Sequence, residues 1–550
     1  MTLLPIAARE LRVAARRHGA HWNRVVAALL ALAVSAVVYA TLAGRGVAEL
    51  GLVLFRSLAG LAFVFCTLAG ARLTADTISE ERREGTLGLL FLTDLKGHDI
   101  VFGKLAASSV NALYSLLAIV PVLGLALLFG GVSGTQFWRT ILVLLNTMVF
   151  SLALGICVST WFENGRRAAA VTVLLLLLVT LGPLLLVAVI EARRGPSPSG
   201  QDMMVLLAPS PGYALAVASV PGAPAFATRL YWPSVGVTFG LSLVCLVLSS
   251  LTVPRVWHDV PTTKRRLAWR RWRMELAYGA GAVRVAFRQR LLSINAFFWL
   301  TSRDRLRPLY VWAVFVAAGL FWLWGRIEFG NDWEESGALV MWSQGLYGVV
   351  KLWIAAAVVV RLAEDRRSAA LELILTTPLT VPAIRRGLWQ ALRRQFLGPL
   401  VVLLLLDLLF VWVTMRQMYG EREEMLGLYA ARMSLLVLDV VTLWALGPWV
   451  AVTARHPNQA AANLLVRVCV LPWLVFLVLL ISAAMAQEWR WVNWNLGENA
   501  ALATWFGLGL LNDLGWLAYA ATRTDPQLRE AAAARFERRG GWWRALWRFN

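Results

Sequence analysis

The 550-residue chain is poor in the side chains that soluble enzymes use for chemistry. Its five histidines, His18, His21, His98, His258 and His456, form no HExxH pair or other ligand spacing, which excludes the common histidine metal motifs. Four cysteines, Cys66, Cys157, Cys245 and Cys469, stand singly in apolar stretches, so they read as packing residues and imply neither a disulfide framework nor a metal centre. Lysine is rarer than arginine by far: Lys96, Lys104, Lys264 and Lys351 are all there is, and none sits in a GxxxxGK[ST] phosphate loop. The chain is therefore not expected to be an enzyme, to hold a cofactor or to hydrolyse ATP itself.

Charge is scarce as well, at 15% of residues, while 59% are hydrophobic and the mean hydropathy is +0.63. About 20 apolar residues cross a bilayer as a helix. Twelve stretches of that kind occur, near 25–44, 47–71, 105–130, 138–161, 168–190, 235–253, 308–325, 338–360, 396–415, 431–453, 462–486 and 499–520. They are longer than barrel strands need, so the expected fold is an all-α polytopic membrane protein. Six spans fall in each half, which gives units at 1–253 and 308–520, a basic connector at 254–307 and a basic Trp/Arg tail at 521–550.

With the N-terminus in the cytoplasm, the cytoplasmic segments carry 40 of the 53 Lys and Arg residues, so both termini are expected inside an inner, cytoplasmic membrane. The net charge of +21 then reflects anionic lipid headgroups as partner, and no nucleic acid. Trp269 and Trp272 interleave with arginines in the connector, and Trp543 and Trp547 alternate with Arg544 and Arg548 in the tail, as expected of segments lying on a leaflet. Arg9, Arg12 and Arg16 share one stripe of a retained N-terminal segment, a further interfacial helix. The loop 191–234 contains a broken apolar piece, either a re-entrant helix or a packing cap.

Two polar strips at matching places relate the halves. Glu80 to Ile100 and Glu364 to Ile384 share Glu80/Glu364, Arg82/Arg366, Arg83/Arg367, Leu87/Leu371, Leu89/Leu373, Thr93/Thr377, Leu95/Leu379 and Ile100/Ile384. Recurrence at the same topological point indicates an internal duplication. A charged amphipathic segment held between two spans can pass on a push from a partner, whereas an isolated charge run is usually just solvated.

The strips also resemble a known signature. Glu81, Arg82, Glu84, Gly85, Thr86, Leu87 and Thr93 in the first copy, and Glu364, Arg366, Leu371, Glu372, Leu373, Thr377 and Pro378 in the second, look like the coupling segment of type-2 ABC exporter permeases. The resemblance implies two six-helix permease units fused in one chain, with no second permease chain required. It further implies docking of separate ATP-binding cassette subunits, two in number, which bind the ATP. The docking residues it implies are Glu80, Glu81, Arg82, Arg83, Glu84, Gly85, Thr86, Glu364, Asp365, Arg366 and Arg367. Asp94 stands where the family has proline, and Ala369 and Ala370 replace Gly85 and Thr86, so the second helix is expected to continue where the first bends. The short turns FENGRRAAA and RHPNQAAAN are further candidates for partner contact.

Within the spans, Lys351, Asp407 and Asp439 form a candidate polar site, because unpaired charge there is costly. Three functions are open: an ATP-driven permease of unknown substrate, an ion- or proton-coupled transporter using those three residues, or a scaffold that transmits ATPase motion without moving solute.

Overall fold

A computed structural model describes residues 46–92, 95–194, 206–222, 225–256, 264–330, 336–368, 370–417, 422–454, 457–488 and 498–533, with Trp333 and short pieces before residue 46. Most of the N-terminal segment that carries Arg9 and Arg16, residues 195–205 of the long loop, and the tail beyond Ala533 lie outside the described residues, as do Thr93, Asp94 and Ala369. The chain divides into two compact units, Met1–Pro261 and Thr262–Asn550.

The first unit contains α1 (Val47–Leu73), the short helices α2 (Thr77–Arg83) and α3 (Thr86–Leu92), α4 (Gly97–Leu128), α5 (Gly134–Trp161), α6 (Gly165–Arg194), α7 (Pro211–Ser219) and α8 (Ala225–Val256). The second contains α9 (Lys264–Tyr278), α10 (Gly281–Leu292), α11 (Ala296–Ser302), α12 (Arg307–Phe329), α13 (Ser336–Arg367), α14 (Ala370–Leu375), α15 (Val381–Gln417), α16 (Arg422–Thr453), α17 (Pro457–Leu465), a π-helical turn at Val466–Val470, α18 (Leu471–Glu488) and α19 (Glu498–Ala533). No strand occurs among the described residues.

Among the described residues, ten helices are long and apolar enough to cross a membrane. They correspond to ten of the twelve expected stretches. Of the other two, 25–44 is described only in part, as helix over 28–36 and 38–39, and 499–520 is helical within α19 but is interrupted by Asn512 and Asp513; neither is among the ten. The protein is a multi-pass, all-α membrane protein.

In the first unit, α5 is the central helix, and small residues let its neighbours approach it. A Cβ on Gly70 of α1 would lie 1.8 Å from the Ser151 carbonyl oxygen, and one on Gly155 would lie 2.1 Å from Thr74 Oγ1. Ser151 Oγ donates to the Thr67 carbonyl at 2.6 Å and accepts from the Gly70 amide at 2.8 Å, while Thr74 Oγ1 donates to the Leu152 carbonyl at 2.9 Å. Close backbones joined by hydroxyls are how helices associate where apolar burial gives no drive between them. In the second unit the same contact recurs with larger residues, as a Cβ on Gly447 of α16 would meet Val358 Cγ1 of α13 at 2.2 Å.

The broken apolar piece of the long loop forms α7, a nine-residue helix capped by Ser210, whose hydroxyl accepts from the Tyr213 amide and donates to the Thr180 carbonyl. Ala214, Val217 and Ala218 pack on Val143 and the buried ring of Tyr231. This helix caps the bundle.

Candidate functional site: the duplicated strips and an intramembrane ion pair

The first strip is a helix–turn–helix. After α1, Thr74 to Asp76 turn the chain into α2; Gly85, at φ +71°, then breaks it from α3. That left-handed backbone favours glycine for want of a Cβ clash. The first amides of a helix lack intrahelical acceptors. Two of those in α2 find one on another helix, because Ser159 Oγ of α5 accepts from the Ile78 and Ser79 amides at 3.0 and 3.1 Å and pairs with Ser79 Oγ at 3.0 Å. Leu87 sinks into a cluster with Ile78, Ile100, Ala153 and Ile156.

The charged residues of this strip divide by direction. Glu81 is paired with Lys104 of α4 at 2.9 Å, both side chains largely buried, and accepts from the Thr86 hydroxyl. Arg82 bonds the Glu163 carboxylate at 2.9 Å. Arg83 forks onto Asp76 at 2.8 and 3.0 Å and donates to the Glu163 carbonyl at 2.8 Å. Glu81, Arg82, Arg83 and Thr86 therefore serve the unit's own architecture. The face turned to solvent consists of Glu80, Glu84, Gly85, the outer part of Arg83 and two leucines outside the expected docking set, Leu89 (62% exposed) and Leu92 (79%). The turn after α5, read from the sequence as a separate candidate for partner contact, is latched onto the strip through Glu163.

The second strip keeps the pattern with different bracing. In every repeat pair that is described, the two members share a burial class: Glu80/Glu364, Arg83/Arg367 and Leu89/Leu373 are exposed, Leu87/Leu371 and Ile100/Ile384 buried, Arg82/Arg366 and Leu95/Leu379 between. Leu373 is 72% exposed. Asp365, the counterpart of Glu81, turns back to Arg361 of its own helix at 3.7 Å. Support comes instead from α19, where Arg529 donates to the Leu379 carbonyl at 3.0 Å and Leu528 joins the core around Leu371. The helix does not run on as expected. It stops at Arg367, Ser368 turns, and α14 begins at Ala370, because Leu371 must reach the core while Leu373 stays outside.

The intramembrane trio separates into two clusters. Lys351 of α13 is ion-paired with Asp439 of α16. Asp407 of α15 instead accepts from the hydroxyl of Tyr347, one turn before Lys351. Arg432 closes that second cluster: it donates to Ser343, to Gln344 Oε1 at 3.2 Å and to the Val340 carbonyl at 3.3 Å, and lies 5.3 Å from the ring centres of Tyr347 and Tyr429. An arginine at the start of the expected span 431–453 was the signal in the sequence for this cluster. Asp513 of α19, fully buried, is a further acidic residue that the sequence reading did not single out. No group of three or more potential metal ligands occurs among the described residues.

Residues 12–256 match the family model described as ABC-2 family transporter protein. The resemblance drawn from the strips thus holds over the first unit, including its strip and the bracing turn at Glu163. Among curated proteins, none matches the chain.

Proposed function

We propose that the chain, whose residues 12–256 match the ABC-2 family transporter model, is the membrane component of an ABC-type transporter and couples ATP hydrolysis on two ATP-binding cassette subunits to export of a substrate. One subunit docks on each strip, at the cytoplasmic face of the inner membrane. The observation that carries this reading is the shared outward face of the strips: an acidic residue followed by an exposed leucine, Glu80 with Leu89 and Glu364 with Leu373, each set over a buried leucine that fixes the strip to its unit. Exposed apolar side chains rimmed by charge mark protein-binding surfaces.

The first strip is built to transmit force. It continues from α1 and leads into α4, is tied again to α4 by Glu81–Lys104, to α5 by Ser159, and to the start of α6 by Arg82 and Arg83 through Glu163. A partner that displaces α2 and α3 moves four spans as a body, and packed bodies shift as rigid units.

The test is capture of a co-expressed ATP-binding cassette subunit by the full chain carrying Glu80→Lys, Glu84→Lys and Leu89→Asp, together with Glu364→Lys and Leu373→Asp. These exposed sites contribute little to folding, so capture and export should fall while the thermal midpoint holds. Undiminished capture would return the strips to the status of solvated helix ends. The mass of the solubilised complex should correspond to one permease chain and two ATP-binding chains; two permease chains would overturn that stoichiometry.

A further inference from the structure

The second unit carries a concentration of arginine that the coupling strips do not use. Between the connector and the first span of this unit, α10 and α11 form a hairpin held on α15. Asn295 caps α11 through the Phe297 and Phe298 amides and donates to the Ala383 carbonyl at 2.9 Å, and a Cβ on Gly387 would lie 2.8 Å from the Phe298 amide. The chain then returns to α9, where the Arg305 amide donates to the Ala277 carbonyl at 2.8 Å. Gly279, at φ +81°, makes the turn beneath it, and a Cβ there would meet Arg305 Nη1 at 3.1 Å.

This folding brings two guanidinium groups onto one ring. Arg305 lies 5.4 Å and Arg394 of α15 lies 4.9 Å from the centre of Phe287. Arg394 also feels the charges of Arg290 and Asp304. Beside them opens a shallow, partly open cavity lined among others by Thr301, Ser302, Arg307, Arg361 and Arg394. Arg303 adds to the field at Arg361. Six arginines thus converge near three acids: Asp304, ion-paired with Arg307, Asp365, ion-paired with Arg361, and Glu364. Like charges so close repel, and a ring face offsets only part of that repulsion. An oxyanion offsets the rest, and guanidinium forks match a phosphate's oxygens.

The position identifies which phosphate. Arg307 opens α12, whose span runs from Arg307 to Glu328, so the cavity sits where a span meets the headgroup layer. The neighbouring α9 exposes Trp269 (55%) and Trp272 (57%), residues that favour that depth. We propose that Arg305 and Arg394, stacked on Phe287, form a specific site for the phosphodiester headgroup of an anionic phospholipid. This site is independent of the proposed ATPase docking and rests only on the protein's being a membrane protein.

The experiment uses the full chain in nanodiscs of phosphatidylcholine with and without phosphatidylglycerol, followed by native mass spectrometry and a thermal melt. The wild type should retain phosphatidylglycerol and melt higher in its presence. Loss of one fork to phosphate corresponds to about a tenfold fall in retention, and Arg305→Gln/Arg394→Gln should show at least that. Arg271→Gln/Arg284→Gln, which removes the same charge from exposed positions on α9 and α10, should retain the lipid as the wild type does. Equal losses in both pairs would reduce the site to diffuse surface attraction and overturn the proposal. So would a wild type indifferent to phosphatidylglycerol, a result that needs no variant and is not confounded by misfolding. Inorganic phosphate added in neutral detergent is the second arm: stabilisation by phosphate alone, with no preference for the lipid, would assign the pocket to a soluble anion instead.

Discussion

Ser159→Ala isolates what orients the first strip. The hydroxyl accepts from two amides of α2, at Ile78 and Ser79, and both residues are fully buried, as is Ser159 itself within 1%. Alanine fills nearly the same space and supplies no acceptor. Each buried donor left unpaired costs about 1–3 kcal/mol, so the two together set a ceiling near 6 kcal/mol and a floor near 2 kcal/mol. The Glu80 amide keeps its bond to the Asp76 carbonyl at 2.8 Å, so α2 is weakened at its first turn and does not dissolve. Hydrogen exchange reads this directly: protection at Ile78 and Ser79 should fall by at least about thirtyfold, the equivalent of 2 kcal/mol. Amides in the middle of α5 should be unchanged. ATPase capture should fall together with this protection although no exposed residue has been altered. Exchange at Ile78 and Ser79 within a factor of two of wild type would refute the idea that α5 holds the strip by this hydroxyl.

Gly85→Val should cost about 1–3 kcal/mol through backbone strain alone, because a Cβ there meets nothing within 4 Å and the φ of +71° is the whole obstacle; circular dichroism melts check it, and Gly85→Asn should be milder. Gly155→Ala should be far more damaging than Gly447→Ala, since the first forces Cβ against Thr74 Oγ1 and the Gly70 carbonyl whereas the second meets a Val358 methyl; relative yields of folded protein by size exclusion decide it, and equal yields would count against the α1–α5 contact. Fluorescent or protease-cleavable tags at Met1 and Asn550 should both report from the cytoplasm, the orientation that the Lys and Arg distribution favours, and a periplasmic signal from either end would defeat it.

Much of the architecture was legible because bilayer physics leaves few choices: long apolar stretches had to be helices, and ten were placed where hydropathy put them. The strips were legible through repetition, and the shared burial of paired positions shows why those residues repeat. Leu87 and Leu371 anchor, while Leu89 and Leu373 face out two residues later on a short helix. What stayed hidden was direction. Glu80 to Glu84 read as one charge run, yet Glu81 turns to Lys104 and Arg82 and Arg83 turn to Glu163, partners 23 and 80 residues away or more that no local pattern names. The same limit split the intramembrane trio: depth along a helix can be counted from sequence, but Tyr347, with Arg432 over its ring, captures Asp407 through the rotation of α13, which packing decides.

The two units solve one packing problem in two ways, and the difference bears on Lys351. Gly155 against Thr74 and Gly447 against Val358 are corresponding contacts, and two helical turns earlier stand Thr67 and Thr147 in the first unit, Lys351 and Asp439 in the second. Both threonines are buried and neutral, so this place in the fold does not require charge. An ion pair taken out of water gains little net stability, yet removing one member leaves the other stranded. Lys351→Met alone should therefore destabilise the second unit by about 3–5 kcal/mol. Lys351→Thr with Asp439→Thr, which installs the first unit's residues at these positions, should recover most of that loss in a denaturant titration of the purified protein. If the double variant is stable and ATP-driven export continues, the pair is structural. If it is stable and export stops while ATPase capture persists, the charges handle substrate, and the asymmetry between the units lies in the transport path. A double variant as unstable as the single one would refute the correspondence of the two contacts itself.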